Sequence, residues 1–172
     1  MNLLRGNIIA LGFLATIGTG LATGLGALRP IYLEDLGLLP ALEMLVQQAG
    51  RRTTARVRLE REDTAYRLAP EVELAAYRVV QEALNNALQH AHAQNIVVRV
   101  RCALEGLTIS VADGGVGFTF PERPDRLTQA GHFGLVGMRE RATGLGGTLQ
   151  VHTAPGEGTR VTLRLPSRPP GT

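Results

Sequence analysis

Residues 95–118 read NIVVRVRCALEGLTISVADGGVGF and begin with two apolar runs of alternating pattern. The runs cover residues 95–103 and 107–112, and both are rich in β-branched side chains. Such runs favour strands, and the short turn around Glu105 and Gly106 predicts that they pair as an antiparallel hairpin. The sequence therefore predicts a sheet at this point of the chain.

The segments on either side of the hairpin predict helices and further strands. Pro70 and Glu71 open a long helix through about residue 91, because proline is favoured in the first helical turn. Its apolar stripe is Val72, Ala76, Val79, Ala83 and Ala87. The other predicted elements are a helix that follows Pro30 and ends at Gly50, a strand over residues 54–60, a helix marked by Leu135, Met138, Ala142 and Leu145, and strands over residues 148–153 and 159–165. Together they predict an α/β fold, a two-layer sandwich whose mixed sheet is covered on one face by helices.

Composition limits the functions that the chain can have. Its 172 residues fit one ordinary domain, and 44% hydrophobic with 19% charged residues is typical of a globular protein. The net charge of +3 comes from scattered arginines, and only 4% of the residues are aromatic, so nucleic-acid binding is not expected. Cys102 is the only cysteine, which excludes a disulfide framework and a thiolate metal site.

The N-terminal segment is uncharged from residue 6 to residue 28. The run over residues 8–28 is about long enough to cross a bilayer as a helix. Several glycines and threonines dilute it, and one face carries Leu21, Leu25 and Leu28, so a helix packed on another helix is the alternative. The predicted organisation is residues 1–29 as a membrane anchor or remnant of a dimerisation helix, residues 30–166 as the folded domain, and residues 167–172 as a disordered tail.

The long helix carries a first polar cluster in QEALNNALQH. Glu82, Asn86 and His90 recur every four residues and share one edge beside the apolar stripe. Carboxylate and carboxamide oxygens suit a hydrated magnesium ion, because that ion prefers oxygen ligands and keeps several waters. The alternative for this cluster alone is a solvated helix face.

A second cluster follows the hairpin in ADGGVGF. The strand delivers Asp113 directly into a glycine-rich segment, and a carboxylate fixed there can accept a charge-assisted hydrogen bond from a ligand. Gly115 and Gly117 would let the backbone approach a flat ligand. Residues 114–133 have few periodic apolar positions and predict a long loop, which in a compact domain is usually functional. A simple glycine-rich turn is the alternative.

The third cluster is GHFGLVGMRERATGLGG, in which Gly131, Gly134 and Gly137 precede and enter a helix. Free backbone amides at the start of a helix attract phosphate. A dinucleotide-binding fingerprint is not favoured, because no strand directly precedes these glycines.

In this order, the three clusters resemble the N, G1 and G2 boxes of the ATPase superfamily shared by gyrase, the Hsp90 chaperones, histidine kinases and MutL. The segments LRPIYLEDLGLLPAL, YRVVQEALNNALQHAHA, VADGGVGF, FGLVGMRERATGLGG and PGEGTRVTLRLP are similar to sensor histidine kinases of the nitrate-sensor and DesK-like group. The resemblance covers about residues 28–166. It implies a Bergerat ATP-binding fold with residues 114–133 as a lid.

The resemblance also implies residue roles at the adenine end. Asp113 would receive the adenine amino group, and Gly115 and Gly117 would shape the adenine pocket. Thr159 lies where a family threonine supports the aspartate.

At the phosphate end, the resemblance implies that Asn86 holds magnesium and that Glu82 is the base or water-orienting carboxylate. His90 would lie near the phosphates. The lid residues that would close over them are Gly134, Leu135 and Gly137.

By the same resemblance, the chain is the catalytic domain that transfers the γ-phosphoryl group of ATP to a histidine on a separate dimerisation domain. ATP and Mg²⁺ are the implied cofactors. A phosphoacceptor domain and a response regulator are the implied partners, within a homodimer of the full-length kinase. The implied location is cytoplasmic, with residues 8–28 as a candidate tether to the membrane.

Two features depart from the family pattern. The resembling kinases carry a histidine followed by Asp or Glu upstream of the LRP segment, whereas the four histidines here are His90, His92, His132 and His152. Autophosphorylation of this chain alone is therefore not expected. Gly114 also replaces the asparagine that often follows the aspartate of the adenine site.

Two further functions remain open from the sequence. A serine kinase of the anti-sigma-factor type shares this fold. A regulatory module that binds nucleotide, without kinase activity of its own, would pair with a complete kinase instead.

Overall fold

The computed structural model of the protein describes residues 31–62, 68–120 and 133–168. In chain order the elements are α1 (Ile31–Leu36), α2 (Leu38–Gly50), β1 (Arg56–Glu62), α3 (Pro70–Asn86), a π-helical turn (Ala87–Ala91), β2 (Asn95–Ala103), β3 (Gly106–Asp113), α4 (Phe133–Gly144), β4 (Thr148–Thr153) and β5 (Thr159–Pro166). The predicted N-terminal helix, most of the predicted lid and the end of the predicted tail lie outside these residues.

The five strands form one mixed sheet in the order β1-β2-β3-β5-β4. The predicted hairpin is confirmed as the antiparallel pair of β2 and β3, and β1 runs parallel to β2. In this register Asp113, the last residue of β3, lies opposite Thr159, the first residue of β5. Thr153, the last residue of β4, pairs with Thr159 from the other side. We call this end of the sheet the Asp113 end.

The core lies between the helices and one face of the sheet. Along β2 and β3 every second side chain is buried, because successive strand residues point to opposite faces. The predicted stripe on α3 is confirmed, since all of its members are buried: Val72, Ala76, Val79, Ala83 and Ala87. The mixed α/β sandwich predicted from the sequence is therefore the observed fold, and Cys102 is a buried thiol within it.

Several boundaries differ from the predicted ones. The first predicted helix is broken into α1 and α2 at Gly37, where φ is 82°. The first strand starts at Arg56 rather than at residue 54, because the Thr53 hydroxyl accepts a hydrogen bond from the Ala55 N–H and forms a turn first. The long helix changes from α to π hydrogen bonding after Asn86. Helix α4 ends at Gly144, one residue before Leu145.

Candidate functional site

The Asp113 carboxylate is held by the backbone on one of its two oxygens. Its Oδ1 accepts hydrogen bonds from the Gly115 N–H at 3.0 Å and from the Thr159 N–H at 3.3 Å. Among the residues that the structure describes, no donor reaches Oδ2. The carboxylate is therefore fixed in orientation with one oxygen left for a ligand.

Burial raises the pKa of Asp113, while the N–H groups of Gly115 and Thr159 lower it in part. Burial disfavours the charged form, and hydrogen bonds to a carboxylate favour that form. The net rise in pKa means that the two backbone donors do not fully replace the lost water. A further donor at Oδ2 would stabilise the charged form.

The loop after Asp113 packs against the end of the π-helical turn. The Val116 N–H donates to the Ala91 carbonyl oxygen at 2.8 Å, and a Cβ at Gly115 would collide with that same carbonyl. Gly117 has a φ of 57°, and a Cβ there would collide with the Ala154 carbonyl. Both positions therefore require glycine, one for close approach and one also for its left-handed backbone.

Thr153 is a residue of the site that the sequence reading missed. Its hydroxyl donates to the Gly158 carbonyl at 2.9 Å and accepts from the Phe118 N–H at 3.1 Å. The Thr153 and Thr159 hydroxyl oxygens are 3.1 Å apart. The end of β4, the start of β5 and the loop after Asp113 are joined through this one side chain. The sequence places it only at the end of a predicted strand, and its pairing with Thr159 is seen in the structure.

Thr159 supports Asp113 through its backbone rather than through its side chain. Its backbone N–H binds Asp113, whereas its hydroxyl faces Thr153. The side chain thus positions the strand, and the backbone positions the carboxylate.

The polar edge of α3 follows the predicted α-helical spacing at Glu82 and Asn86 but not at His90. Glu82 and Asn86 lie one α-helical turn apart, and both are half-buried. His90 belongs to the π-helical turn, where hydrogen bonds join residues five apart, so it is not stacked on Asn86 as in a continuous α-helix. Burial, and then the nearby His92, lower the pKa of His90. Both effects favour a neutral imidazole.

The two adjacent asparagines of α3 have different environments. Asn85 Oδ1 accepts a hydrogen bond from Arg52 Nη1 at 3.3 Å, so it belongs to the contact between α3 and the segment after α2. Asn86 lies next along the helix, on the edge shared with Glu82. Among the described residues, Asn86 makes no side-chain hydrogen bond, and its carboxamide oxygen is available to a ligand.

Helix α4 joins the site through its first turn. A Cβ at Gly134 would collide with the Glu82 carboxylate, so the start of α4 lies directly against the polar edge of α3. Leu135 and Met138 are buried and anchor α4 in the core. Gly137 lies one turn further, where a Cβ would meet the Arg141 guanidinium at 3.0 Å. The first N–H groups of a helix lack intrahelical partners, and the first turn of α4 places such amides near Glu82.

The structure thus joins predicted site residues in two groups. The first group joins Asp113, Gly115, Gly117 and Thr159, and the second joins Glu82, Gly134 and the rest of the α3 edge. Ala91, at the end of the π-helical turn that continues α3, contacts the loop of the first group through its carbonyl. Gly131 lies outside the described residues.

A cavity of about 770 Å³ lies beside the π-helical turn. It is lined by Ala87 and Leu88, by the segment before β1, and by His92 and the start of β2. Neither Asp113 nor Asn86 lines it. This cavity is therefore separate from the groups described above.

The described residues contain no group of three or more His, Cys, Asp or Glu side chains that could hold a metal ion. None of the helices within residues 31–62, 68–120 and 133–168 is long and apolar enough to span a bilayer.

Comparison with known families gives one match over most of the domain. Residues 71–169 match the family described as histidine kinase-, DNA gyrase B- and HSP90-like ATPase. The match includes α3, the Asp113 loop, α4 and the last two strands.

Curated relatives include two signal transduction histidine-protein kinase/phosphatases named DegS. The protein from Brevibacillus brevis is 36% identical over 139 residues, which is 81% of this chain and 35% of that protein. The protein from Bacillus subtilis is 33% identical over 141 residues, which is 80% of this chain and 36% of that protein. The chain therefore spans about a third of the length of these relatives.

Solved structures with the same fold include the following two. The blue-light activated histidine kinase of Erythrobacter litoralis EL346 is 25% identical with a TM-score of 0.57, covering 75% of this chain and 41% of that one. The ATP binding domain of PrrB from Mycobacterium tuberculosis is 23% identical with a TM-score of 0.56, covering 74% of this chain and 91% of that one. The second likeness concerns the fold alone.

Proposed function

Because the chain belongs to the family of histidine kinase-, DNA gyrase B- and HSP90-like ATPases, we propose that it is the catalytic domain of a two-component sensor histidine kinase. Family membership directly supports the ATP-binding part of this proposal. The observation that carries it to a particular site is the half-buried Asp113 carboxylate, fixed on one oxygen and open on the other. Sites of this kind suit a ligand that offers one directed donor.

At the adenine end, Asp113 Oδ2 would accept a hydrogen bond from the exocyclic amino group of the purine. A charge-assisted bond of this kind contributes about 1.5–3 kcal/mol. The raised pKa of Asp113 supports this role, because a ligand donor would offset the cost of burying the charge. Gly115 and Gly117 keep side chains out of the loop beside the carboxylate, and Thr153 with Thr159 holds the strand ends in place.

At the phosphate end, the Asn86 carboxamide oxygen would hold Mg²⁺, which prefers oxygen ligands and retains several waters. The metal, when bound, supplies positive charge against the phosphate oxygens. The first-turn amides of α4, from Gly134 and Leu135, would donate to the phosphates, and Gly137, one turn further along, would help to close the lid over them. Glu82 lies beside Gly134 and would orient the nucleophile or accept its proton. A neutral His90 could donate or accept a hydrogen bond beside them.

The phosphoryl acceptor would be a histidine on a separate dimerisation domain, and a response regulator would take the phosphoryl group next. Both curated relatives are named histidine-protein kinase/phosphatases, which favours histidine over serine as the acceptor. Such a domain acts within a homodimeric kinase on the cytoplasmic side of the membrane. Residues 8–28 are then a candidate tether.

A phosphotransfer assay tests this function. The chain is mixed with γ-labelled ATP, Mg²⁺ and candidate histidine-bearing dimerisation domains from the same organism. We expect label on the acceptor that is lost in acid, because phosphohistidine is acid-labile and phosphoserine is not. Acid-stable label would identify a serine kinase. Nucleotide binding without transfer to any acceptor would favour the regulatory module.

The asparagine pair of α3 provides a matched test of the metal site. Replacing Asn86 with alanine should slow phosphotransfer at least about a hundredfold, which is typical when a group that stabilises transition-state charge is removed. Asn85→Ala is the control, since Asn85 binds Arg52 instead and its loss should leave the rate within about threefold. Equal losses in both variants, or an unchanged rate in Asn86→Ala, would contradict the assignment of Asn86 to the metal.

A further inference from the structure

The face of the sheet that the helices leave uncovered is rich in arginine. Alternation along the strands places these arginines on it: Arg56, Arg58, Arg99, Arg101, Arg160 and Arg164. The outward carboxylates of β1 are Glu60 and Glu62. Glu60 forms ion pairs with Arg99 at 2.6 Å and with Arg58 at 3.4 Å. The remaining arginines of this face form no ion pair with any described residue.

The strand register brings two of these arginines to the same level. Arg101 on β2 pairs with Thr108 on β3, and Thr108 pairs with Arg164 on β5. The two arginines therefore flank one threonine, with their Cα atoms two strand spacings apart, which is roughly 10 Å. Thr148 on β4 continues the row beyond Arg164. Long side chains at this spacing can converge on one group above Thr108.

A depression of about 330 Å³ lies over this row. Its lining includes Arg101, Thr108, Thr148 and Arg164, together with Gly147 and the hairpin turn at Glu105. The lining therefore offers two guanidinium groups and two hydroxyls. A cavity of this size lies at the lower end of the range for small-ligand sites.

Most of the guanidinium N–H donors in the depression have no acceptor among the described residues. Arg164 Nη1 donates to Gln150 Oε1 at 2.9 Å, which leaves its other N–H groups available. Arg101 makes no side-chain hydrogen bond or ion pair within the part of the chain that the structure describes. Each guanidinium carries five N–H donors in a planar fork that matches phosphate oxygens.

Two carboxylates face the same region and oppose an anion there. Glu105 lines the depression, and Glu62 lies beside Arg101 in the register of β1 and β2. Neither forms an ion pair with a described arginine. The charges of Arg101 and Arg164 are therefore not neutralised by ion pairs with these two carboxylates.

We propose that this depression, here called the Arg101–Arg164 site, binds the phosphate group of a monoester, either a soluble phosphorylated molecule or the monoester head group of phosphatidic acid. Arg101 and Arg164 would each donate to phosphate oxygens, and the Thr108 hydroxyl would donate from below. The site lies five residues along β3 from Asp113, which corresponds to roughly 17 Å of strand. It is therefore distinct from the nucleotide site and independent of the proposed kinase function.

The test is a titration of the ¹⁵N-labelled chain with inorganic phosphate, followed by NMR, at about 0.15 M ionic strength, where the Debye length is about 8 Å. We expect saturable shifts of the Thr108, Gly147 and Thr148 amides. Arg101→Gln and Arg164→Gln should each weaken this binding at least about tenfold, because each removes a charge-assisted contact. The matched control is Arg160→Gln, which makes the same change of charge on the same face of β5, four residues nearer the Asp113 end. It should change the affinity less than about twofold, since salt screens separated surface charges.

Vesicle sedimentation separates the two sources of phosphate. Vesicles of phosphatidylcholine with phosphatidic acid, compared with phosphatidylcholine alone, should bind the chain if the ligand is a lipid head group. That binding should be lost in Arg101→Gln and Arg164→Gln but kept in Arg160→Gln. Phosphate binding without vesicle binding would identify a soluble monoester as the ligand. The proposal is overturned if phosphate shifts none of the three amides, or if all three arginine variants weaken binding equally, because diffuse charge would then explain it.

Discussion

An Asp113→Asn variant is expected to bind a fluorescent ATP analogue at least about tenfold more weakly than the unchanged chain, because a charge-assisted hydrogen bond is lost. Asparagine can still accept at Oδ1 from Gly115 and Thr159, so the loop should keep its conformation. Its Nδ2 group, however, would present donors where the ligand also offers a donor. The affinity loss should therefore appear in an otherwise native protein.

The same variant should keep or gain thermal stability at neutral pH. Burial raises the pKa of Asp113, so the folded protein binds this proton more tightly than the unfolded chain does. The stability that this group contributes is then greatest below the ordinary carboxyl pKa and is lost as the pH rises through the raised folded pKa. Asparagine cannot ionise, and the variant should not show this loss.

Thermal unfolding across a pH series, together with the analogue titration, measures both effects. Glu157→Gln serves as the control, because Glu157 is an exposed carboxylate in the turn between β4 and β5 at the same end of the sheet. It should leave the affinity unchanged within about twofold. Unchanged affinity in Asp113→Asn would reject the adenine contact, and a sharp fall in its stability would reject the account of its pKa.

A Gly115→Ala substitution should have the second large effect. A Cβ at this position would collide with the Ala91 carbonyl, which belongs to backbone and cannot rotate away as a side chain could. Overpacking of this kind costs about 1–3 kcal/mol. Relief of the collision would push the loop away from the π-helical turn and break the hydrogen bond from Val116 to Ala91. ATP affinity should fall at least about tenfold, since the loop also carries the donor to Asp113.

Gly114→Ala is the matched control for this substitution. A Cβ at Gly114 would meet no atom within 4 Å, although it is the adjacent residue of the same loop. Calorimetry of ATP binding and the melting temperature should change little in Gly114→Ala and strongly in Gly115→Ala. Comparable behaviour of the two alanine variants would show that the loop does not depend on its contact with Ala91.

The parts of the fold that could be predicted are those with strong periodicity. The alternating runs of β2 and β3 and the apolar stripe of α3 are repeated signals, and each is buried as expected. The position of Asp113 at the end of a strand followed from the abrupt change to glycine. These features depend on local pattern, which a sequence displays directly.

The parts that could not be predicted depend on contacts between distant segments. The π-helical turn follows Asn86 with no break in the apolar pattern, so the spacing of His90 predicts a continuous α-helix there. The role of Thr153 depends on the pairing of β4 with β5, which the sequence does not display. The row of Arg101, Thr108 and Arg164 likewise exists only through the order of three strands.

A structure determined with a non-hydrolysable ATP analogue and Mg²⁺ tests the central claim most directly. We expect the exocyclic amino nitrogen of the purine within about 3.2 Å of Asp113 Oδ2 and the Asn86 carboxamide oxygen about 2.1 Å from the metal. A purine bound elsewhere, such as in the 770 Å³ cavity beside Ala87 and Leu88, with Asp113 left in contact with solvent, would contradict it.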